Sequence, residues 1–287
     1  MRPDKVKSGC LYVVATPIGN LADMTARAIE VLSACNLVAA EDTRHSAHLL
    51  QHFGIQTPTA SFHDFSSRGR LERLLEQLEA GADIAIISDA GTPTIADPGF
   101  ELVSAARQRD IKVVPIPGAS SLLAALSVAG LPTDRFVFLG FLPAKAAAKA
   151  KLLQGLIFEE RTTVVFESPH RILDSLQEMA GILGGTRRLF VGRELTKKFE
   201  TTYVASIEQC LLRMKSDPLE QKGEFVLVLA GCEADQSQTA KIEQGLQILD
   251  LLIGEVSVKK AVSLAAKISG ASRNVLYAAA LERQPAK

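Results

Sequence analysis

The chain carries no excess of charge. Its 32 lysines and arginines balance 32 aspartates and glutamates, which excludes a dispersed basic coat for nucleic acid and confines any such patch to one region. Only four cysteines occur, Cys10, Cys35, Cys210 and Cys232, with no CxxC pair and no zinc-like spacing. They are expected to be reduced core thiols of a cytoplasmic protein. No stretch approaches the ~20 apolar residues that a membrane span requires, and the apolar run Leu11–Ala15 behind Lys5 and Lys7 is too short for a signal-peptide core. The first strand candidate ends without G-x-G-x-x-G, which disfavours NAD or FAD bound in the usual mode. His48 and His52 stand four apart but lack the glutamate of HExxH, so no metal site is expected. A G-x-S-x-G elbow is missing too, leaving covalent hydrolase chemistry without support. The sequence shows neither a repeat of fixed period nor a low-complexity tract.

What is present is a globular pattern. At 287 residues, 47 % hydrophobic and 22 % charged, the chain suits one large domain or two ordinary ones. Residues 11–140 alternate short apolar runs with amphipathic stretches. Strands are predicted at Leu11–Ala15, Leu37–Ala40, Ile84–Ile87, Lys112–Pro115 and Phe136–Gly140, and the clearest helix carries Leu71, Leu74, Leu75 and Leu78 on one face. This rhythm predicts a parallel, doubly wound sheet. A boundary is expected near Leu142, where Lys145, Lys149 and Lys151 read as a solvated face. The first domain is thus 1–141 and the second 142–232. The second has strands at Thr162–Phe166, Arg188–Val191, Tyr203–Ala205 and Phe225–Leu229, suggesting a mixed sheet. Polar residues Glu233–Thr239 read as a linker to a helical extension over 240–287. Ser257 and Ser272 suit N-caps there and Gly270 a turn, a helix-turn-helix-like arrangement. From Ser257 onward, Lys259, Lys260, Lys267, Arg273, Arg283 and Lys287 face one acid, Glu282. The excess marks either a nucleic-acid surface or a helical cap with a solvated basic face.

Chemistry concentrates at strand ends, where ligands of open α/β sheets bind. The most informative loop is Ser88-Asp-Ala-Gly-Thr-Pro-Thr-Ile-Ala-Asp-Pro-Gly99, a corner of fixed shape whose backbone can approach a ligand. Ala40-Glu-Asp-Thr-Arg-His45 offers two carboxylates, a guanidinium and an imidazole for moving protons, although Asp42 or Thr43 would serve equally as a helix N-cap. Ile116-Pro-Gly-Ala-Ser-Ser121 precedes an Ala/Leu-rich helix whose N-terminus suits a carboxylate. Phe166-Glu-Ser-Pro-His-Arg171 and Gly192-Arg-Glu-Leu-Thr-Lys197 place further charges after strands. His170 and Arg171 could belong only to the next helical turn; Arg193, Glu194 and Lys197 are harder to dismiss together.

Taken in order, Thr16-Pro-Ile-Gly-Asn20, Glu41-Asp-Thr-Arg44, Ser88-Asp-Ala-Gly-Thr-Pro93, Pro117-Gly-Ala-Ser120, Glu167-Ser-Pro-His-Arg171 and Arg193-Glu-Leu-Thr-Lys197 resemble the tetrapyrrole-methylase superfamily, and within it the bacterial branch that modifies ribosomal RNA. The match spans residues 11–230, and Ser272-Arg-Asn-Val-Leu-Tyr277 resembles that branch's helix-turn-helix extension. The resemblance implies an α/β, two-domain, class III methyltransferase fold that binds S-adenosyl-L-methionine between its domains, with a small helical C-terminal extension. It also implies a cytoplasmic homodimer that methylates the 2′-hydroxyl of a cytidine ribose in the decoding region of 16S rRNA, on the small ribosomal subunit. Carried over by position, Pro17, Asp89, Ala90, Gly91, Thr92, Pro93, Gly118, Ser120, Leu142, Glu167 and Phe225 would hold the cofactor. Asp42 or Glu41 is expected as base and Arg44 or Lys197 as stabiliser of the developing oxyanion. Arg193, Glu194, Lys259, Lys260, Lys267 and Arg273 are expected to bind substrate. Members that act on tetrapyrroles usually open with G-x-G-P-G. Ile18 and the altered turn here argue against a macrocycle and for RNA. A tetrapyrrole-type small-molecule methyltransferase and a non-catalytic RNA-binding protein are the alternatives.

Overall fold

The computed structural model describes residues 8–63, 68–232, 234–253 and 255–282. Lys5, Lys7, Glu233, Gly254, Arg283 and Lys287 lie outside the described residues, as does the Glu282 side chain. The first half runs β1 (Cys10–Val14), α1 (Ala26–Ala34), β2 (Leu37–Ala40), α2 (Thr43–His52), β3 (Thr59–Ser61), α3 (Arg68–Glu79), β4 (Ile84–Ile87), α4 (Phe100–Gln108), β5 (Lys112–Ile116) and α5 (Ser121–Val128). Its strands form a wholly parallel sheet in the order β3-β2-β4-β1-β5. Because successive side chains leave a strand on opposite faces, each central strand feeds two cores. Leu11, Ile84 and Ile86 pack with Leu74, Leu75, Leu78 and Leu102 of α3 and α4. Val14, Ala85 and Ile87 pack with Ala28, Leu32 and Leu50 of α1 and α2. Burial on both faces is why these strands read as unbroken apolar runs.

The second half runs β6 (Phe136–Phe141), α6 (Ala146–Gly155), β7 (Thr162–Glu167), α7 (Ile172–Leu183), β8 (Arg188–Arg193), β9 (Thr201–Ser206), α8 (Ile207–Ser216) and β10 (Phe225–Leu229). Its sheet is mixed, ordered β6-β7-β10-β8-β9, with β6 parallel to β7 and the other pairs antiparallel. Phe225, Leu227 and Leu229 point toward Leu176, Met179, Cys210 and Met214 of α7 and α8. Val226 and Val228 point the other way, joining Val164 and Phe190 against Ala125 and Leu126 of α5. That helix therefore sits between the two sheets, and the cleft lies at its start.

Three expectations are corrected. The strand at 136–141, assigned from its neighbours to the first unit, hydrogen-bonds to β7 in the second sheet. Residues 234–239 are the opening turns of a helix rather than a linker. Lys149 is not solvated: it is 5 % exposed and contacts Ser175 and Glu178.

Three helices complete the chain, α9 (Ala234–Leu252), α10 (Val258–Ser269) and α11 (Arg273–Glu282). They enclose a separate small core of Leu249, Ala261, Val262, Ala265, Leu276 and Ala280. Gly270, at φ 72°, ends α10 in the left-handed conformation that glycine adopts without steric cost. Ser257 occupies the N-cap position of α10 but makes no side-chain cap hydrogen bond. Lys241 of α9 pairs with Glu160 and ties the extension to the second domain. None of the described helices is long and apolar enough to cross a membrane.

Candidate active site

The loops after β1, β4 and β5 are bonded into one frame. Thr16 and Gly91 exchange backbone hydrogen bonds of 2.8 and 3.0 Å, and Thr92 Oγ1 donates to the Ala119 carbonyl at 3.1 Å. The Ser88–Gly99 corner departs from relaxed geometry: Thr94 and Ala96 have φ of 73° and 60° without being glycine. Such positions cost about 1–3 kcal/mol each and persist where surrounding contacts hold them. Gly91, at φ 83°, turns its backbone toward the cleft, and a Cβ there would come within 3.3 Å of Ile18 Cγ2.

Two cavities, each of about 330 Å³, adjoin this frame and share Ile18, Ala90 and Glu224. The first is bounded by Gly91, Thr92, Ser120 and Ser121 on one side, and by Phe166, Glu167 and Phe225 on the other. The second is bounded by Pro17, His45, His48, Asp89 and Lys197. Ser120 is the N-cap of α5 but makes no side-chain cap hydrogen bond, and it lines the first cavity together with Ser121, the first residue of that helix.

The strand-end carboxylates fall out differently from expectation. Asp42 is the N-cap of α2, accepting the Arg44 backbone N–H at 2.8 Å and pairing with the Arg44 guanidinium at 3.3 Å. The Arg44 backbone N–H, then its side chain, holds the Asp42 carboxyl below the usual carboxylate range. Arg44 itself is 92 % exposed, and neither residue lines a cavity. Glu41 Oε2 accepts the Asp89 N–H at 3.3 Å, while the Asp42 N–H donates to Asp89 Oδ1 at 3.1 Å. Glu41 and the Asp42 backbone therefore fix Asp89 at the rim, where Asp89 lines the second cavity beside Glu224.

Lys197 does reach the cleft. Its Nζ donates to Glu194 Oε1 at 2.9 Å and to Glu224 Oε2 at 3.0 Å, and its stem crosses Gly19 so closely that a methyl group there would overlap it. Burial pushes the ammonium pKa down, but the hydrogen bonds to Glu194 and Glu224 outweigh it and hold the group above its ordinary value. Burial likewise raises Glu194, and the Glu224 N–H and Lys197 overcome it, leaving that carboxyl below its usual range. Glu194 and Thr196 both adopt positive φ, 52° and 66°, so the turn that presents Lys197 is itself constrained.

Other expected residues stand aside. Arg193 donates to the carbonyls of Lys222, Phe199 and Leu219, a local clasp that uses three of its five N–H donors, and it lines neither cavity. Leu142 is 2 % exposed in the second core, its carbonyl accepting from Arg171 Nη1. Pro93 is buried within the Ser88–Gly99 loop, Gly118 lies close to Ala15, and neither lines either of the two cavities. Pro17 and Asp89 line the second cavity rather than the first. Lys259, Lys260, Lys267 and Arg273 are exposed on the extension and take part in no salt bridge among the described residues.

Glu224 escaped sequence reasoning. It precedes a strand instead of following one. Because β10 is antiparallel to β7 and β8, with Phe225 opposite Glu167 and Arg193, its start meets their ends at the cleft. His48 was weighed only as half of a metal pair, and the side chains that α2 turns toward Lys197 are visible only once that helix is docked.

An apolar cleft between a parallel sheet and a mixed sheet, framed by strained strand-end loops, is the architecture of one class of methyltransferase. Residues 10–210 match the Tetrapyrrole (Corrin/Porphyrin) Methylases, and residues 239–284 match the RsmI C-terminal HTH domain. The chain is 50 % identical to the ribosomal RNA small subunit methyltransferase I of Pseudomonas aeruginosa over 97 % of this chain and 99 % of that one. It is 48 % identical to the protein of that name from Escherichia coli O157:H7, over 96 % of each. It belongs to the ribosomal RNA small subunit methyltransferase I family. Its fold is shared with the uroporphyrin-III C-methyl transferase of Thermus thermophilus solved with S-adenosyl homocysteine, at 19 % identity and a TM-score of 0.52, over 77 % of this chain and 97 % of that one.

Proposed function

We propose that the chain transfers a methyl group from S-adenosylmethionine to the 2′-hydroxyl of a cytidine ribose in the decoding region of small-subunit ribosomal RNA. The observation that carries this is the pair of abutting cavities, one walled largely by loop backbone and apolar side chains, the other by a lysine, two histidines and two carboxylates, Asp89 and Glu224. The first cavity suits the cofactor. The backbone at Gly91 is bare where a side chain would crowd Ile18, Phe166 and Phe225 offer apolar walls, and the start of α5 presents amides suited to a carboxylate. Ala90, Gly91, Thr92, Ser120, Glu167 and Phe225 would hold it. When bound, S-adenosylmethionine supplies an electrophilic methyl on a sulfonium.

The chain's own contribution is chiefly alignment of the acceptor, which can supply several kcal/mol toward an in-line displacement. Lys197, a lysine whose ammonium is held further from deprotonation by Glu194 and Glu224, stabilises the oxyanion that develops on the ribose and does not serve as base. Asp89, His45 and His48 line the acceptor cavity and are the groups placed to take the proton. Lys259, Lys260, Lys267 and Arg273, exposed on the extension, contact phosphates. The same assignment includes a cytoplasmic homodimer.

The test is transfer from labelled S-adenosylmethionine to purified 30S subunits, to free 16S rRNA and to tetrapyrrole macrocycles, with the modified nucleotide mapped. Label on a ribose of the RNA is expected. Label on a base would refute the 2′-hydroxyl, and label on a macrocycle would refute the RNA acceptor.

A further inference from the structure

Lys149 is a lysine in an unexpected place. It belongs to α6, in an alanine-rich run that reads as solvent-facing, yet its side chain is 6 % exposed and its Nζ lies 3.0 Å from Glu178 Oε1 and 3.3 Å from Ser175 Oγ. Taking an ammonium out of water costs several kcal/mol even when paired, and an apolar side chain of similar volume is often the more stable choice. The charge is therefore poorly explained as a device for stability alone.

Its partners lead to the first cavity. Ser175 Oγ lies 2.6 Å from Glu167 Oε2. Glu167 Oε1 accepts the Ser168 N–H at 2.7 Å and the Arg171 Nη2 at 2.6 Å. Arg171 reaches on to Ser168 Oγ at 3.1 Å and the Leu142 carbonyl at 3.0 Å. Glu167, itself 1 % exposed, lines the first cavity together with Phe166, Ser168 and Pro169.

The chemistry of these groups fixes the direction of the chain. A lysine ammonium has three donors and no acceptor, whereas a serine hydroxyl has a single proton to give. Lys149 can only donate to Ser175, so the Ser175 proton is committed to Glu167. Without that donor, a helical serine hydroxyl can turn back to the carbonyl four residues earlier, here Arg171, which already accepts the Ser175 N–H at 2.9 Å. Glu167 Oε2 would then lose its partner inside the protein, and a buried carboxylate oxygen left without a donor carries the full cost of its desolvation, which favours a shift of the side chain.

We infer that Lys149 is a positioning residue for cofactor binding, acting through the Ser175 hydroxyl to hold Glu167 and the 166–169 wall of the first cavity in place. The inference rests on that cavity being the S-adenosylmethionine site. It touches neither cofactor nor acceptor, so its effect is on affinity rather than on the methyl-transfer step.

The test is calorimetric titration of S-adenosylmethionine into the full chain, its Lys149→Met and Ser175→Ala variants, and the double variant. Each single change is expected to weaken binding about five- to tenfold, and the double variant to bind no more weakly than Ser175→Ala, since groups acting in series are not additive. At saturating cofactor, kcat stays within about twofold of the parent. Unchanged affinity in either folded single variant, or losses that multiply in the double, overturns the inference. Should Lys149→Met fail to fold, Ser175→Ala, which removes only one hydroxyl, decides by the same criterion. A parent chain that binds no S-adenosylmethionine overturns the cavity assignment itself, a result distinct from parental binding with indifferent variants.

Discussion

Gly91→Val is the sharpest perturbation of the cleft. Gly91 sits at φ 83°, where an L-residue pays roughly 1–2 kcal/mol and a β-branched one is a genuine outlier. The first added carbon would already stand 3.3 Å from Ile18 Cγ2, tighter than an ordinary contact, and valine adds two methyl groups beyond it. Relief requires the 90–92 backbone to move, which strains the two hydrogen bonds between Thr16 and Gly91, each worth about 0.5–1.5 kcal/mol net. Together these give a loss of about 2–4 kcal/mol, serious but survivable for a fold with about 5–15 kcal/mol in hand. Urea unfolding should register that loss. Calorimetric titration should show no measurable S-adenosylmethionine binding, because valine occupies the face where cofactor and backbone would meet. Gly91→Ala should retain weak binding, at least tenfold poorer, the equivalent of about 1.4 kcal/mol. A folded Gly91→Val protein that binds the cofactor within threefold of the parent would refute the placement of the cofactor against this loop.

Lys197→Ala should lower kcat at least a hundredfold in methyl transfer to 30S subunits while leaving cofactor affinity within about threefold, as expected of a group facing the acceptor cavity; a nearly unchanged kcat would remove it from the chemistry. Asp42→Asn, which preserves an N-cap oxygen, should keep most activity, whereas Asp42→Ala should cost about 1 kcal/mol of stability in urea unfolding; a catalytic collapse in Asp42→Asn would restore that carboxylate as base. Replacing Lys259, Lys260 and Lys267 together by alanine should weaken RNA binding and flatten its dependence on salt, by up to about 2–3 in the slope of log K against log salt, with cofactor affinity unchanged; an unaltered slope would make the extension a structural cap.

Much of the first sheet was legible because its central strands are buried on both faces and so appear as unbroken runs such as Ile84–Ile87. β3 was not, since Thr59–Ser61 is three small residues on a sheet edge, held by backbone pairing to β2 rather than by apolar side chains. Sheet membership was equally hidden. Nothing local to Phe136–Phe141 reveals that it pairs forward with β7, because pairing depends on the tertiary path and not on composition. Within the cleft, Gly91 and Lys197 were readable because unusual loops advertise themselves by glycine, proline and clustered charge. The same cue pointed to Asp42, where the helix-cap alternative is the one the structure shows, and to Arg193, three of whose donors go to backbone carbonyls. Lys149 was misread for the opposite reason. Alanines flanking a lysine look solvated until α7 is laid across them.

The position of α5 bears on how anything enters or leaves. Although it follows a strand of the first sheet, Ala125 and Leu126 are sealed against Val164, Phe190, Val226 and Val228 of the second. Swinging the two halves apart would expose that apolar seam, at roughly 1.5–3 kcal/mol for each large side chain uncovered. That cost disfavours a wide hinge opening. Exchange of spent for fresh cofactor is then expected to proceed by small displacements of the loops at the cleft mouth, with a rate that responds to substitutions at Thr94 and Ala96 more than to any change in the chain joining the two sheets.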